Sequence, residues 1–133
     1  MVKKSSLGVI ACVVFMLALV PLIGHAKSAG SGPMNGICVY YNDAFQGHIL
    51  ASGEKYDKDA LTAAHKTLPF GTKVKVTNLA NKKSVVVRVN DRGPHGGSKS
   101  KIIEITSRAA QEIDMIKEGK VQVQVEIIEL GKK

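Results

Sequence analysis

The 133-residue chain contains no tryptophan, only three tyrosines and three phenylalanines, and two cysteines. So few aromatics leave few flat surfaces on which a ring-shaped ligand can stack, and make each one worth locating. Cys12 lies in an N-terminal apolar run, so loss of that run would leave Cys38 alone and exclude an intrachain disulfide even in an oxidising compartment. Cys38 sits in the apolar stretch Ile37-Cys38-Val39-Tyr40 and reads as a buried core thiol rather than a nucleophile or an intermolecular bridge. Metal-ligand spacing is also missing, because His48, His65 and His95 form no HxxxH-like pair; no metal and no cofactor is expected. Acidic residues are scarce, 11 against 19 Lys and Arg, for a formal net charge of +8.

The N-terminus carries an export pattern. Lys3 and Lys4 form a positive n-region, Leu7 to Ile23 is apolar, and Gly24-His25-Ala26 places small residues at the −3 and −1 positions of a signal-peptidase site. Residues 1–26 are therefore expected to be a signal peptide cleaved after Ala26. Two other readings stay open: the apolar run as a membrane anchor, at the short edge of a spanning helix, and Val9-Ile10-Ala11-Cys12 as a lipidation site. Cleavage after Ala26 removes two lysines and no acid, so the net charge of +8 falls to +6. A basic surface suits an anionic polymer, and export excludes nucleic acid as the partner.

The rest reads as one small all-β unit. Residues 27–36 (KSAGSGPMNG) form a flexible Gly/Ser/Pro lead-in, and residues 37–130 the folded domain. Strands are expected at Ile37–Asn42, Lys73–Asn78, Ser84–Asn90, Lys101–Thr106 and Val121–Leu130. Alternation is clearest in VQVQVEIIEL, where Val121, Val123, Val125 and Ile127 share one face. One short helix is expected in SRAAQEIDMI, capped by Ser107, with Ala109, Ala110, Ile113 and Ile116 as its apolar stripe. Several short strands with one brief helix suggest a closed barrel, since closure removes exposed edges.

Three turns border these strands and carry proton-handling side chains. Glu54 follows a tight Ala51-Ser52-Gly53 turn, His65 precedes a Leu-Pro-Phe-Gly turn, and Asp91 stands in Asn90-Asp91-Arg92-Gly93-Pro94 beside a cation. Singly, each has an ordinary structural explanation as a solvated turn Glu, a hydrogen-bonded His, or a turn with a salt bridge. Jointly, ASGE, TAAHKTLPFGT and NDRGP in this order and spacing closely resemble the rare-lipoprotein-A-like double-psi β-barrel family, whose members include lytic transglycosylases of the bacterial cell wall. The resemblance runs from Gly36 to Leu130.

That resemblance implies a six-stranded double-psi β-barrel, with functional positions at Glu54, His65 and Asp91 and groove positions at Tyr40, Tyr41, Phe45, Asn90 and Arg92. It implies peptidoglycan glycan strands as partner, in the periplasm or as a secreted protein. Membrane contact is expected only if the leader stays or Cys12 is lipidated, and other cell-wall or division proteins are open as partners. The implied reaction breaks a β-1,4 glycosidic bond and closes the muramyl C6 hydroxyl onto its own C1, adding no water. One carboxyl with a raised pKa can then act as acid and afterwards as base. Asp91 is expected in that role, with Glu54 stabilising charge or sharing the proton work and His65 orienting one of them. The choice between Asp91 and Glu54 stays open, since interacting carboxyls titrate as a pair. The competing class is a non-catalytic, expansin-like wall-binding module. Two segments depart from the family pattern: Gln46, His48 and Leu50 stand before ASGE where relatives commonly have a His, an Arg and a Thr, and Glu104 replaces the usual Asp of an IDLS segment.

Overall fold

In the computed structural model, which describes residues 32–132, six strands close into a barrel in the order β1-β5-β2-β4-β3-β6. They are β1 (Met34–Tyr40), β2 (Thr62–His65), β3 (Lys73–Asn78), β4 (Ser84–Asp91), β5 (Lys101–Ile105) and β6 (Lys120–Glu129), with the helix α1 (Ser107–Glu112) between β5 and β6. The pairs β1/β5 and β2/β4 are parallel and the other four antiparallel, which is the mixed, crossed arrangement of a double-psi barrel. The expected signal peptide, its cleavage point and Cys12 lie outside the described residues.

Alternation fills the barrel. Val74 and Val76 of β3, Val85, Val87 and Val89 of β4, Ile103 and Ile105 of β5, and Val123 and Val125 of β6 point inward and are buried. Cys38 joins them with no exposed surface; burial first, then the charge of Glu104, pushes its thiol pKa up, so it is an inert core residue.

Three local expectations change. The first strand starts at Met34, inside the stretch read as a lead-in, because Met34, Asn35 and Gly36 pair with Val125, Gln124 and Val123 of β6. Gly36 is required there: a Cβ would come within 2.7 Å of Ile102 Cγ2 and 2.8 Å of the Ser100 carbonyl. The helix is capped by Thr106 rather than Ser107, the Thr106 hydroxyl accepting from Ala109 N at 3.2 Å, and it stops at Glu112. Ile116 therefore falls beyond the apolar stripe and is 41% exposed. Finally, TAAH, read only as the approach to a turn, is the fully buried strand β2 at the centre of the site described next.

Candidate active site

The site lies on the outer face of the barrel, where β5, β2 and β4 run side by side. Ala63 pairs with Val89, but the next β2 residue, Ala64, pairs with Asp91, so Asn90 is the extra residue of a bulge. A bulge shifts the in–out phase of a strand by one. Val89 stays in the core while Asp91, which unbroken alternation would also turn inward, faces outward beside Ala64. Above Ala64 the connection from β1 to β2 folds down, and Tyr41, Leu50, Tyr56 and Ala64 form a second small core. Tyr41 and Tyr56 stack at 4.4 Å between ring centroids.

Asp91 is held by this connection. Its Oδ2 accepts from the Tyr41 hydroxyl at 2.5 Å and its Oδ1 from the backbone N–H of Ala51 at 2.8 Å. Both oxygens serve as acceptors, an arrangement that suits an ionised carboxylate. Burial, then the hydrogen bond to Asp91, pushes the Tyr41 phenol pKa up, so it remains a donor.

Glu54 is held quite differently. Gly53, at φ 94°, makes the tight turn that lets Leu50 N donate to the Glu54 carbonyl at 2.7 Å. The Glu54 carboxylate then accepts a fork from Arg88, Nη1 to Oε2 at 2.8 Å and Nη2 to Oε1 at 3.0 Å, and a third bond from Asn90 Nδ2 at 2.9 Å. The Arg88 bonds first, then that from Asn90, hold its pKa down at about 2. A carboxylate so stabilised is ionised near neutral pH and holds its charge against the Arg88 fork.

His65 is tied to the backbone. Its Nδ1 accepts from the N–H groups of Thr67 and Leu68, both at 3.1 Å, and its carbonyl accepts from Arg92 Nη1 at 3.1 Å. Burial, then Arg92 and Lys66, lowers its pKa, which keeps the ring neutral. Among the described hydrogen bonds it touches neither carboxylate.

The remaining groove candidates separate. Tyr40 and Tyr41 are consecutive in extended chain and face opposite ways. Tyr40 packs on the main core and donates to the Ile116 carbonyl at 2.8 Å, away from Tyr41. Tyr41, 6% exposed, offers no stacking face, whereas Phe45 is 43% exposed. Asn90 is buried against Glu54, and Arg92 lies 4.1 Å over the Phe70 ring.

Around Asp91 these elements enclose a cavity of about 190 Å³, lined on one side by Tyr41, Phe45, His48 and Leu50 and on the other by Asp91, Arg92, His95 and Glu104. Glu104, noted in the sequence only as a substitution, lines this cavity, whereas Arg88, which sequence reasoning missed, stands against Glu54. Burial first, then the charge of Asp91, raises the Glu104 pKa against the opposing influence of His95 and Lys101. Two larger hollows nearby, about 360 and 490 Å³, contain no carboxyl; Lys66, Lys99 and His95 line the first and His65, Lys66, Lys99 and Lys101 the second. Among the described residues no group of three His, Cys, Asp or Glu side chains is placed to hold a metal ion.

A bulged strand that presents a fixed aspartate in a small cavity can now be set beside known proteins. Residues 34–125 match the family model described as lytic transglycolase. The chain belongs to this family. It is 48% identical over 97 residues to the endolytic peptidoglycan transglycosylase RlpA of Campylobacter jejuni, covering 73% of this chain and 34% of that protein. It is 44% identical over 107 residues to the protein of the same name from Pasteurella multocida, covering 80% and 36% respectively. The chain thus spans about a third of the length of the curated relatives it matches. Among solved structures, the Streptomyces papain inhibitor superposes with a TM-score of 0.58 at 22% identity, covering 73% of this chain and 94% of its own. The apo expansin of Clavibacter michiganensis gives 0.59 at 18%, covering 77% and 53%. At such identities these two show the fold alone.

Proposed function

We propose that this lytic-transglycolase family member is an endolytic peptidoglycan lytic transglycosylase. It cleaves the β-1,4 bond between N-acetylmuramic acid and N-acetylglucosamine, leaves 1,6-anhydro ends, and works as an exported protein in the periplasm or outside the cell. Residues 1–26 are its signal peptide, and the barrel that starts with β1 at Met34 is its catalytic domain. The observation that carries the reading is the cavity in which a doubly anchored Asp91 faces an exposed Phe45. An exposed ring offers a sugar an apolar face, and a fixed carboxylate stabilises the oxocarbenium-like charge that develops at C1.

The other residues of the family signature act by holding that carboxylate in place. The Glu54–Arg88–Asn90 clamp fixes the Ala51–Glu54 turn, and the turn aims the Ala51 N–H at Asp91. His65, neutral and bound to its own turn, braces Arg92 through its carbonyl. The lysine-lined hollows beside the cavity suit the carboxylate-bearing polymer of the wall.

The test is incubation of the purified protein with isolated peptidoglycan, followed by mass spectrometry. Anhydro-muramyl ends are expected among the released fragments. Binding to the polymer with no such product would replace this reading by that of a non-catalytic wall-binding module.

A further inference from the structure

The cavity contains a second carboxyl whose position follows from strand register. On one side of β2, Ala64 pairs with Glu104 of β5; on the other, the same Ala64 pairs with Asp91 of β4. Directly opposed residues project from the same face of a sheet. Glu104 and Asp91 therefore flank one methyl group, two strands apart, or roughly 10 Å at the backbone from ordinary strand spacing. Ala64 is completely buried beneath Tyr41, Leu50 and Tyr56, so the floor between the two acids is low.

The two carboxyls differ in how they are held. Asp91 accepts from Tyr41 and Ala51, whereas Glu104 takes part in no side-chain hydrogen bond or ion pair among the described residues. Asp91 on β4 and Tyr41 and Tyr56 in the covering connection bear on Glu104 from the cavity side, Cys38 from β1, and His95 and Lys101 from its flank. His48 and His95 also line the cavity. A protonated imidazole would set positive charge beside the cation forming at C1, whereas a neutral carboxylic acid leaves an anion behind as that cation forms.

We propose that Glu104 is the acid–base catalyst of this site, with Asp91 as its fixed anionic partner; this rests on the transglycosylase reading. It moves to Glu104 the proton transfer that the sequence reading divided between Asp91 and Glu54, and keeps Asp91 as the anion. The Glu104 carboxyl gives its proton to the bridging oxygen as the C1–O bond breaks and the bonding pair leaves with that oxygen. Asp91 faces the charge at C1. The Glu104 carboxylate then takes the proton of the muramyl C6 hydroxyl as the O6–C1 bond forms. No water is consumed, and Glu104 ends protonated as it began.

The experiment compares the unsubstituted protein with Glu104→Gln and Glu104→Asp on isolated peptidoglycan, measuring anhydro-muramyl ends and polymer binding separately. Glu104→Gln is expected to lose about 10²- to 10⁴-fold in rate while binding persists, the range for one positioned proton donor. Glu104→Asp should restore turnover and move a limb of the pH profile. A side-chain carboxyl NMR titration adds a readout on the unsubstituted protein: Glu104 should titrate above the usual range, and lower in Asp91→Asn. An active protein whose folded Glu104→Gln variant is equally active overturns the role of Glu104 and leaves the transglycosylase reading standing. An ordinary Glu104 titration, unmoved in Asp91→Asn, likewise overturns it. An unsubstituted protein that makes no anhydro ends overturns both readings.

Discussion

Two carboxylate environments stand side by side on this barrel, separated by the single bulged residue Asn90. On one side the Glu54 carboxylate, 44% exposed, is neutralised by a fork from Arg88 and a bond from Asn90. On the other, Asp91 and Glu104 share a cavity where no cation makes a described salt bridge to either. The first arrangement spends its hydrogen bonds on holding a turn still. The second leaves negative charge and a half-buried acid facing the space a ligand would enter. On the proposed reading the two arrangements divide the labour: the compensated carboxylate positions, and the acids without an ion pair react.

The largest effect that can test this contrast is at Asp91. Asp91→Asn keeps the shape and one acceptor but removes the charge opposite C1, and should lower release of anhydro-muramyl ends by about 10²- to 10⁴-fold. The measurement is initial rate on isolated peptidoglycan with circular dichroism as the folding control. Substantial turnover by a folded Asp91→Asn protein would end the assignment of the cavity as the reaction centre.

Next in size is Tyr41→Phe. It removes the hydroxyl that donates to Asp91 Oδ2 and leaves the ring stacked on Tyr56. A hydrogen bond to a charged group is worth about 1.5–3 kcal/mol, or a loss of roughly ten- to a hundredfold if it is felt at the transition state. The loss should appear in kcat, with KM nearly unchanged, because the hydroxyl is buried against Asp91. A change in KM alone would mean that Tyr41 contacts the polymer instead.

How much of this was legible in the sequence depends on sequence distance. Alternation in VKVTNL and VQVQV placed β3 and β6 within a residue of where they lie, since each side chain reports its own burial. The strand β2 was not legible, because TAAH is short, rich in alanine and buried on both faces, so it shows no alternation. Asp91 was legible as a motif, but its outward turn depends on a bulge against Ala64, which only the β2–β4 pairing reveals. Glu104 was visible only as a departure from a pattern. Its nearness to Asp91 depends on two non-local pairings through one alanine, and neither leaves a trace in spacing. Nor does the sequence separate Tyr40 from Tyr41, although adjacent residues in an extended chain face opposite ways.

A smaller effect separates apolar contact from charge attraction. Phe45→Ala should weaken polymer binding in high salt, because stacking persists when exposed charges are screened beyond roughly 8 Å even at physiological ionic strength. At about 0.5–1.5 kcal/mol for an aromatic contact beyond area burial, the expected loss is roughly two- to tenfold in Kd. Tyr41→Phe, which alters no exposed face, should leave high-salt binding unchanged. Equal effects from the two substitutions would dissolve the distinction between the wall of the cavity and its supporting core.

The smallest effect concerns the clamp. The Glu54 pKa falls from its usual 4.5 to about 2 on folding, so the stabilisation it provides is fully present above about pH 4.5 and disappears as pH falls through about 2. Because the ion pair is more than a third exposed on both partners, solvent screening limits that stabilisation to about 1 kcal/mol or less. Urea unfolding of the unsubstituted protein and of Glu54→Gln should therefore differ slightly at pH 7, by the same amount at pH 5, and progressively less from pH 4 to pH 2. Activity should fall in the variant by less than in Asp91→Asn, since a loosened turn weakens the aim of the Ala51 N–H without removing the reacting carboxyl. A stability difference that stays constant down to pH 2 would show that the clamp holds by shape rather than charge. The contrast between a compensated and an uncompensated carboxylate would then lose its electrostatic basis.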